Sequence, residues 1–213
     1  MIPTIIFHLH LLAATLPLTA SAALSSQQAD YSTLHCPPDP YATLVTPSYG
    51  TSDAIFTVCS ELVIAAPPST VYAATLDFQS YARWNTFIPT VALPANVSAT
   101  PADVWVGMAM TFTSRGLVGG LNTTSAEVVS LLDGGGTGYL MSAWRYDDGV
   151  GGASARAEHP NVLVDLGDGS TRYLSYETYY AGLSTGAIAL LKAQLKEQFD
   201  VQARDLKAYV ESM

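Results

Sequence analysis

Of the side chains able to move protons, His159 and Glu177 are the two that a turn would bring together. If Gly167-Asp168-Gly169 closes a three-residue hairpin loop, Leu166 faces Ser170, and counting outward sets His159 directly opposite Glu177. An imidazole beside a carboxylate can be a general base with its orienting group, or simply a cross-strand salt bridge. The same count gathers Val162, Val164, Leu166, Leu174, Tyr176 and Tyr180 on the other face, with Glu158, Arg172 and Thr178. That face is the more apolar and is expected to look inward, which leaves His159 and Glu177 outside as a salt bridge and turns Tyr176 and Tyr180 toward the interior. Tyr176, His159 and Glu177 are therefore the candidate catalytic groups.

A second cluster is aromatic. Leu140, Ser142, Trp144 and Tyr146 alternate onto one strand face. If that face is internal, an indole and a phenol stand in an apolar cavity, suited to orienting a ligand carbonyl or hydroxyl, or both rings merely fill the core. Met108, Met110 and Phe112 share an apolar face with Val106 in "WVGMAMTF". Trp84, in "YARWN", either plugs the core or stacks on a ligand at a pocket mouth. Other chemistries find no motif: there is no G-x-S-x-G elbow, Walker loop or H-E-x-x-H, and "DGGGTG" reads as a hairpin turn. Two cysteines without a nearby histidine pair lack the four-ligand spacing of a metal site. No cofactor is implied.

The elements that must position these residues follow from pattern. "FTVCSELVIAA" is a strand stopped by Pro67-Pro68, with Ser69 placed to cap the helix "STVYAATLDF" and a second helical turn through Tyr81 to Trp84. Five further β-rich runs, beginning at Trp105, Ser125, Tyr139, Asn161 and Thr171, are separated by turn-forming segments such as "RGLVGGLNTT", and "VALPANVS" offers one more. One long helix is expected from Thr185 to Glu211, because Ile188, Leu191, Leu195, Phe199, Leu206 and Val210 recur at helical spacing. Its apolar face needs a partner, and the sheet is the only large one available. Leu195 and Phe199 are thus placed at any cavity between the two.

The chain has 213 residues, 49% hydrophobic and 13% charged, enough for one substantial core. A net charge of -9 repels the phosphate backbone, which argues against a nucleic-acid partner. Residues 1–22 read as a signal peptide ending at Ala20-Ser21-Ala22, the alternative being an uncleaved anchor, which Pro3, Pro17, His8 and His10 disfavour, so no stable membrane span is expected in the mature chain. Residues 23–54 form an extension rich in Ser, Thr, Pro and Tyr, and residues 55–213 the domain. Cys36 and Cys59 are expected to pair as a disulfide tethering the extension, the alternative being two unrelated buried thiols. The sequons at Asn96 and Asn122 point the same way, to a protein that is secreted or held in the secretory-pathway lumen.

"LVIAAPPSTVYAATLDFQSYARWNTFIPTV" resembles the opening of the START-like helix-grip superfamily, in particular its polyketide cyclase/dehydrase and coenzyme Q-binding branches. "ARAEHPNVLVDLGDGSTRYLSYETYYAGL" is similar to the last hairpin of the same family. The resemblance covers about Phe56 to Val210. It implies an α+β helix-grip fold: a curved antiparallel sheet wrapped around a long C-terminal helix, with two short helices after the first strand. It also implies a hydrophobic small-molecule partner, such as a lipid, sterol, quinone or polyketide, held between sheet and helix. The alternative it carries is a cofactor-free cyclase shaping a polyketide or terpenoid intermediate. The ligand-facing candidates are Trp84, Met108, Met110, Phe112, Trp144, Tyr146, Tyr176, Tyr180, Leu195 and Phe199.

Overall fold

A computed structural model describes residues 29–136 and 138–213; the expected signal peptide lies outside them. Seven strands, β1 (Ala54–Ile64), β2 (Thr90–Ala92), β3 (Ala109–Val118), β4 (Leu121–Asp133), β5 (Leu140–Asp148), β6 (Ala155–Asp165) and β7 (Thr171–Tyr180), make one antiparallel sheet in the order β1-β7-β6-β5-β4-β3-β2. Helices α1 (Pro68–Leu76) and α2 (Tyr81–Trp84) follow β1, and α3 (Thr185–Ala189) and α4 (Lys192–Glu211) follow β7. This is the helix-grip arrangement. The α4 helix packs its Leu195, Phe199, Ala203, Leu206 and Val210 into the main core on one sheet face.

Local chemistry explains most of these boundaries, with several departures from expectation. Pro67, extended at φ -61° and ψ 149°, is the residue before α1, and Pro68 takes the first helical position, where its missing N–H costs nothing. Ser69 is inside the helix and makes no cap. After α2, the Asn85 side chain accepts the Ile88 N–H at 2.7 Å and fixes the turn. "RGLVGGLNTT" is mostly strand: β3 and β4 continue to Val118 and Leu121, joined by Gly119-Gly120, both at positive φ as a two-residue hairpin requires. β3 starts only at Ala109, so Val106 lies in a turn, 57% exposed, while Met108, Met110 and Phe112 are buried. The expected single C-terminal helix is two. Leu190 and Leu191 donate to the carbonyls three residues back, a tighter turn that ends α3 before α4 begins.

The sheet is covered on both sides. Residues 29–50 lie across its convex face, tethered by the Cys36–Cys59 disulfide, and bury Tyr31 and Leu44 against Met141, Val162, Leu174 and Tyr176. Hydrogen bonds stitch this layer down. The Tyr176 hydroxyl donates to Val45 O at 2.6 Å, the Tyr180 hydroxyl to Gly50 O at 2.8 Å, and Thr178 Oγ1 to Leu44 O at 2.9 Å. Arg172 donates to Leu34 O at 2.7 Å and also reaches Ser32 O. Glu158, 0% exposed, accepts from Ser48 N at 2.8 Å, Ser48 Oγ at 2.7 Å and Ser130 Oγ at 2.6 Å. Three donors on one buried carboxylate meet the demand that burial creates.

This second layer corrects the face assignment of the last hairpin. The register is the one expected, with Leu166 N bonded to Ser170 O and Val162 opposite Leu174. The face carrying Val162, Leu174, Tyr176 and Tyr180, however, is the convex one, apolar because the extension covers it. His159 and Glu177 point to the concave side.

Candidate ligand-binding site

A cavity of about 220 Å³ lies between the concave face of the sheet and the α3–α4 segment. The helical side contributes only apolar groups, Ile188, Leu191, Leu195 and Phe199, and the break at Leu190 lets Ile188 and Leu191 both turn to it. The sheet supplies the polar groups through two lateral rows. In one, Glu127 on β4 pairs with Tyr146 on β5, Tyr146 with Ala157 on β6, and Ala157 with Tyr179 on β7. In the next, Val129 pairs with Trp144, Trp144 with His159, and Glu177 with Val58. The register on either side of His159 sets it opposite Glu177. Cross-strand neighbours share a face, so these rows deliver two glutamates, a histidine and two tyrosines to one wall.

His159 and Glu177 form no salt bridge with each other. The His159 Nε2 is 2.8 Å from Ser175 Oγ, and its ring lies 4.7 Å from Trp144 and, stacked, 4.7 Å from Phe199. Burial among these rings pushes its pKa down to about 3, so the imidazole is neutral at physiological pH. Glu177 accepts the Tyr179 hydroxyl at 2.6 Å; burial raises its carboxyl to about 7, against the pull of that hydrogen bond. Glu127 is 6% exposed. Burial first, and then the charge of Glu177, push it up to about 8, and its Oε2 has no hydrogen-bond partner among the described residues. Near neutral pH the wall therefore holds protonated carboxyl, able to donate as well as accept.

Seven of the sequence candidates line this cavity: Phe112, Trp144, Tyr146, His159, Glu177, Leu195 and Phe199. Met108 and Met110 are buried in the core without lining it, and Trp84 packs as a plug, stacked on Tyr209 at 5.9 Å and edge-on to Tyr81 at 4.9 Å. Tyr176 and Tyr180 lie on the convex face, their hydroxyls taken by the extension, and have no access to the cavity. Glu127 and Tyr179 are the polar residues the sequence reading missed. Asn96 and Asn122 are both exposed. Among the described residues no group of His, Cys, Asp and Glu could hold a metal ion, and no helix is long and apolar enough to cross a membrane.

A curved antiparallel sheet gripping a C-terminal helix, with an apolar cavity between them, defines a START-like helix-grip protein. The chain belongs to the polyketide cyclase/dehydrase and lipid transport family, whose profile matches residues 56–211. No curated protein sequence matches it. Among solved structures, a hypothetical protein of Helicobacter pylori superposes with a TM-score of 0.61 at 15% identity, over 79% of this chain and 96% of that one. The Zhui aromatase/cyclase of a Streptomyces species gives 0.53 at 13% identity, over 73% and 93%. A START superfamily protein of Mycobacterium smegmatis gives 0.53 at 17% identity, over 73% and 97%. At such identities the likeness is one of fold.

Proposed function

We propose that the protein binds and carries a compact hydrophobic small molecule in the cavity between its sheet and α3–α4. The observation that carries this reading is the division of the cavity wall: apolar helix side chains face a sheet wall on which a few polar groups converge, the usual composition of a small-molecule site. Its volume suits a ring system, such as a quinone or a polyketide-derived core, better than a whole sterol or extended acyl chain. The Cys36–Cys59 bond supports an extracellular or secretory-lumen setting.

A second reading is favoured by one feature, the glutamates. A carboxyl held near neutral pKa in an apolar cavity is suited to general acid–base catalysis, as in cyclising a polyketide or terpenoid intermediate. Native mass spectrometry of the purified protein with its co-purified extract tests the first reading. A bound small molecule released unchanged supports carriage. Protein that is ligand-free and fails to take up any of a panel of quinones, aromatic polyketides and aromatic amines contradicts it. Conversion of a panel member, lost in Glu177→Gln by roughly 10²-fold or more, would decide for catalysis.

A further inference from the structure

We propose that the ligand of this cavity carries a basic nitrogen, and that Glu127 and Glu177 receive it as an ammonium group; this rests on the small-molecule-binding reading above. Glu127 is buried, faces the cavity and leaves Oε2 without a partner among the described residues, so the site offers acceptor capacity that the protein does not use. Glu177 opens onto the same cavity. No cation of the protein answers them: none of the ion pairs among the described residues includes either glutamate. No Lys or Arg lines the cavity, and Arg145 pairs with Asp147, Lys196 with Asp200 and Lys192 with Pro40 O. The two carboxyls also lack a third ligand to complete a metal site.

The surroundings favour an organic cation over a neutral polar group. Phe112, Trp144 and Phe199 line the cavity, and aromatic faces attract an ammonium ion as well as a hydrocarbon body. The titratable groups facing the carboxyls are Tyr146 on β5, His159 on β6 and Tyr179 on β7, while α3 and α4 present only Ile188, Leu191, Leu195 and Phe199. His159 is neutral and does not compete. Asp147, which also acts on Glu127 through its charge, adds to the negative field. An arriving ammonium group donates its N–H bonds to the two carboxyls and supplies the missing counter-charge. The proton that Glu127 carries in the empty site is then released to solvent.

The test is isothermal titration of the full protein with two matched pairs, 2-phenylethylamine against 2-phenylethanol and tryptamine against tryptophol, at pH 5.5 and pH 8. Each amine should bind at least about 10-fold more tightly than its alcohol at pH 8, with less preference at pH 5.5, where both carboxyls are protonated. Amine binding at pH 8 should release protons, read from heats in buffers of different ionisation enthalpy. In Glu127→Gln/Glu177→Gln the preference should fall to within about 3-fold while alcohol binding persists, which also shows that the variant is folded. Alcohols binding as well as amines in the unmodified protein would overturn the inference and leave a neutral-ligand pocket standing. An amine preference surviving in the double variant would overturn it too. Binding of neither member of either pair would count against both this inference and the small-molecule site.

Discussion

Replacing Glu127 by glutamine should leave stability nearly unchanged at pH 5 and raise it by about 3 to 5 kcal/mol at pH 8. In the folded protein this carboxyl titrates at about 8 instead of 4.5, because burial and the neighbouring Glu177 disfavour its ionised form. A group whose pKa is raised by folding contributes stability that is full below its unfolded value and is lost as pH climbs to the folded one. At about 1.4 kcal/mol per pH unit, the interval from 4.5 to 8 corresponds to about 5 kcal/mol. Glu177, raised to about 7, has the same sign and loses about 3 kcal/mol by pH 7. His159 has the opposite sign. Its pKa is lowered to about 3, so between pH 3 and 6.5 the unfolded chain binds the extra proton and stability rises with pH. Up to pH 6.5 it offsets one glutamate, and above that nothing does, so the protein should be most stable near pH 4.5 and lose several kcal/mol by pH 8. Glutamine copies the protonated carboxyl without being able to ionise, and removes most of that decline. Urea unfolding followed by tryptophan fluorescence from pH 4.5 to 8.5 measures it. A wild type whose stability climbs from pH 5 to 8, or a variant with the same pH slope as wild type, refutes the reasoning.

Three further outcomes are expected. Cys36→Ser with Cys59→Ser opens a bridge between residues 23 apart and should cost about 3 kcal/mol of unfolding free energy, chiefly through the entropy of the unfolded chain; oxidised and reduced protein with the same urea midpoint would contradict this. Phe199→Ala empties a buried site beside His159 and should destabilise by roughly 3 to 5 kcal/mol, whereas a change under about 0.5 kcal/mol would mean that α4 is not packed there. Tyr176→Phe removes the hydrogen bond to Val45 O and should cost about 0.5 to 1.5 kcal/mol of stability with no effect on ligand affinity; a 10-fold affinity loss would return this tyrosine to the site.

The hairpin at Gly167–Gly169 shows how far the sequence carries and where it stops. Loop length gives the pairing of His159 with Glu177, since register is local geometry. Which face looks inward is not local. The usual rule takes the more apolar face as internal, and it inverts here because residues 29–50 bury the convex side. Glu127 escaped notice for a related reason. Thr123, Ser125 and Glu127 alternate as a solvent face would, and a β-bulge between Val129 and Leu131 shifts the β4–β5 register. A plain count inward from Asp133 opposite Met141 would set Val128, not Glu127, beside Tyr146. The helical period at the C-terminus passes through Leu190 and Leu191 without a breaker, so the division into α3 and α4 leaves no mark in the composition. What was legible was periodic or set by proline and glycine: the strand stopped before Pro67, the hairpin loop at Gly167–Gly169, and the apolar face of α4.

The layer over the convex face means that this protein has no folding boundary where family likeness begins. A chain trimmed to residues 56–211 would keep the sheet, the grip and the cavity lining, yet strip Tyr31 and Leu44 from Met141, Val162, Leu174 and Tyr176 and leave Glu158 without either donor from Ser48. Its back would be an apolar sheet whose buried carboxylate keeps only the Ser130 hydroxyl as donor, prone to self-association. Residues 29–50 thus act as an outer cover for the sheet, and the domain should be produced with them attached.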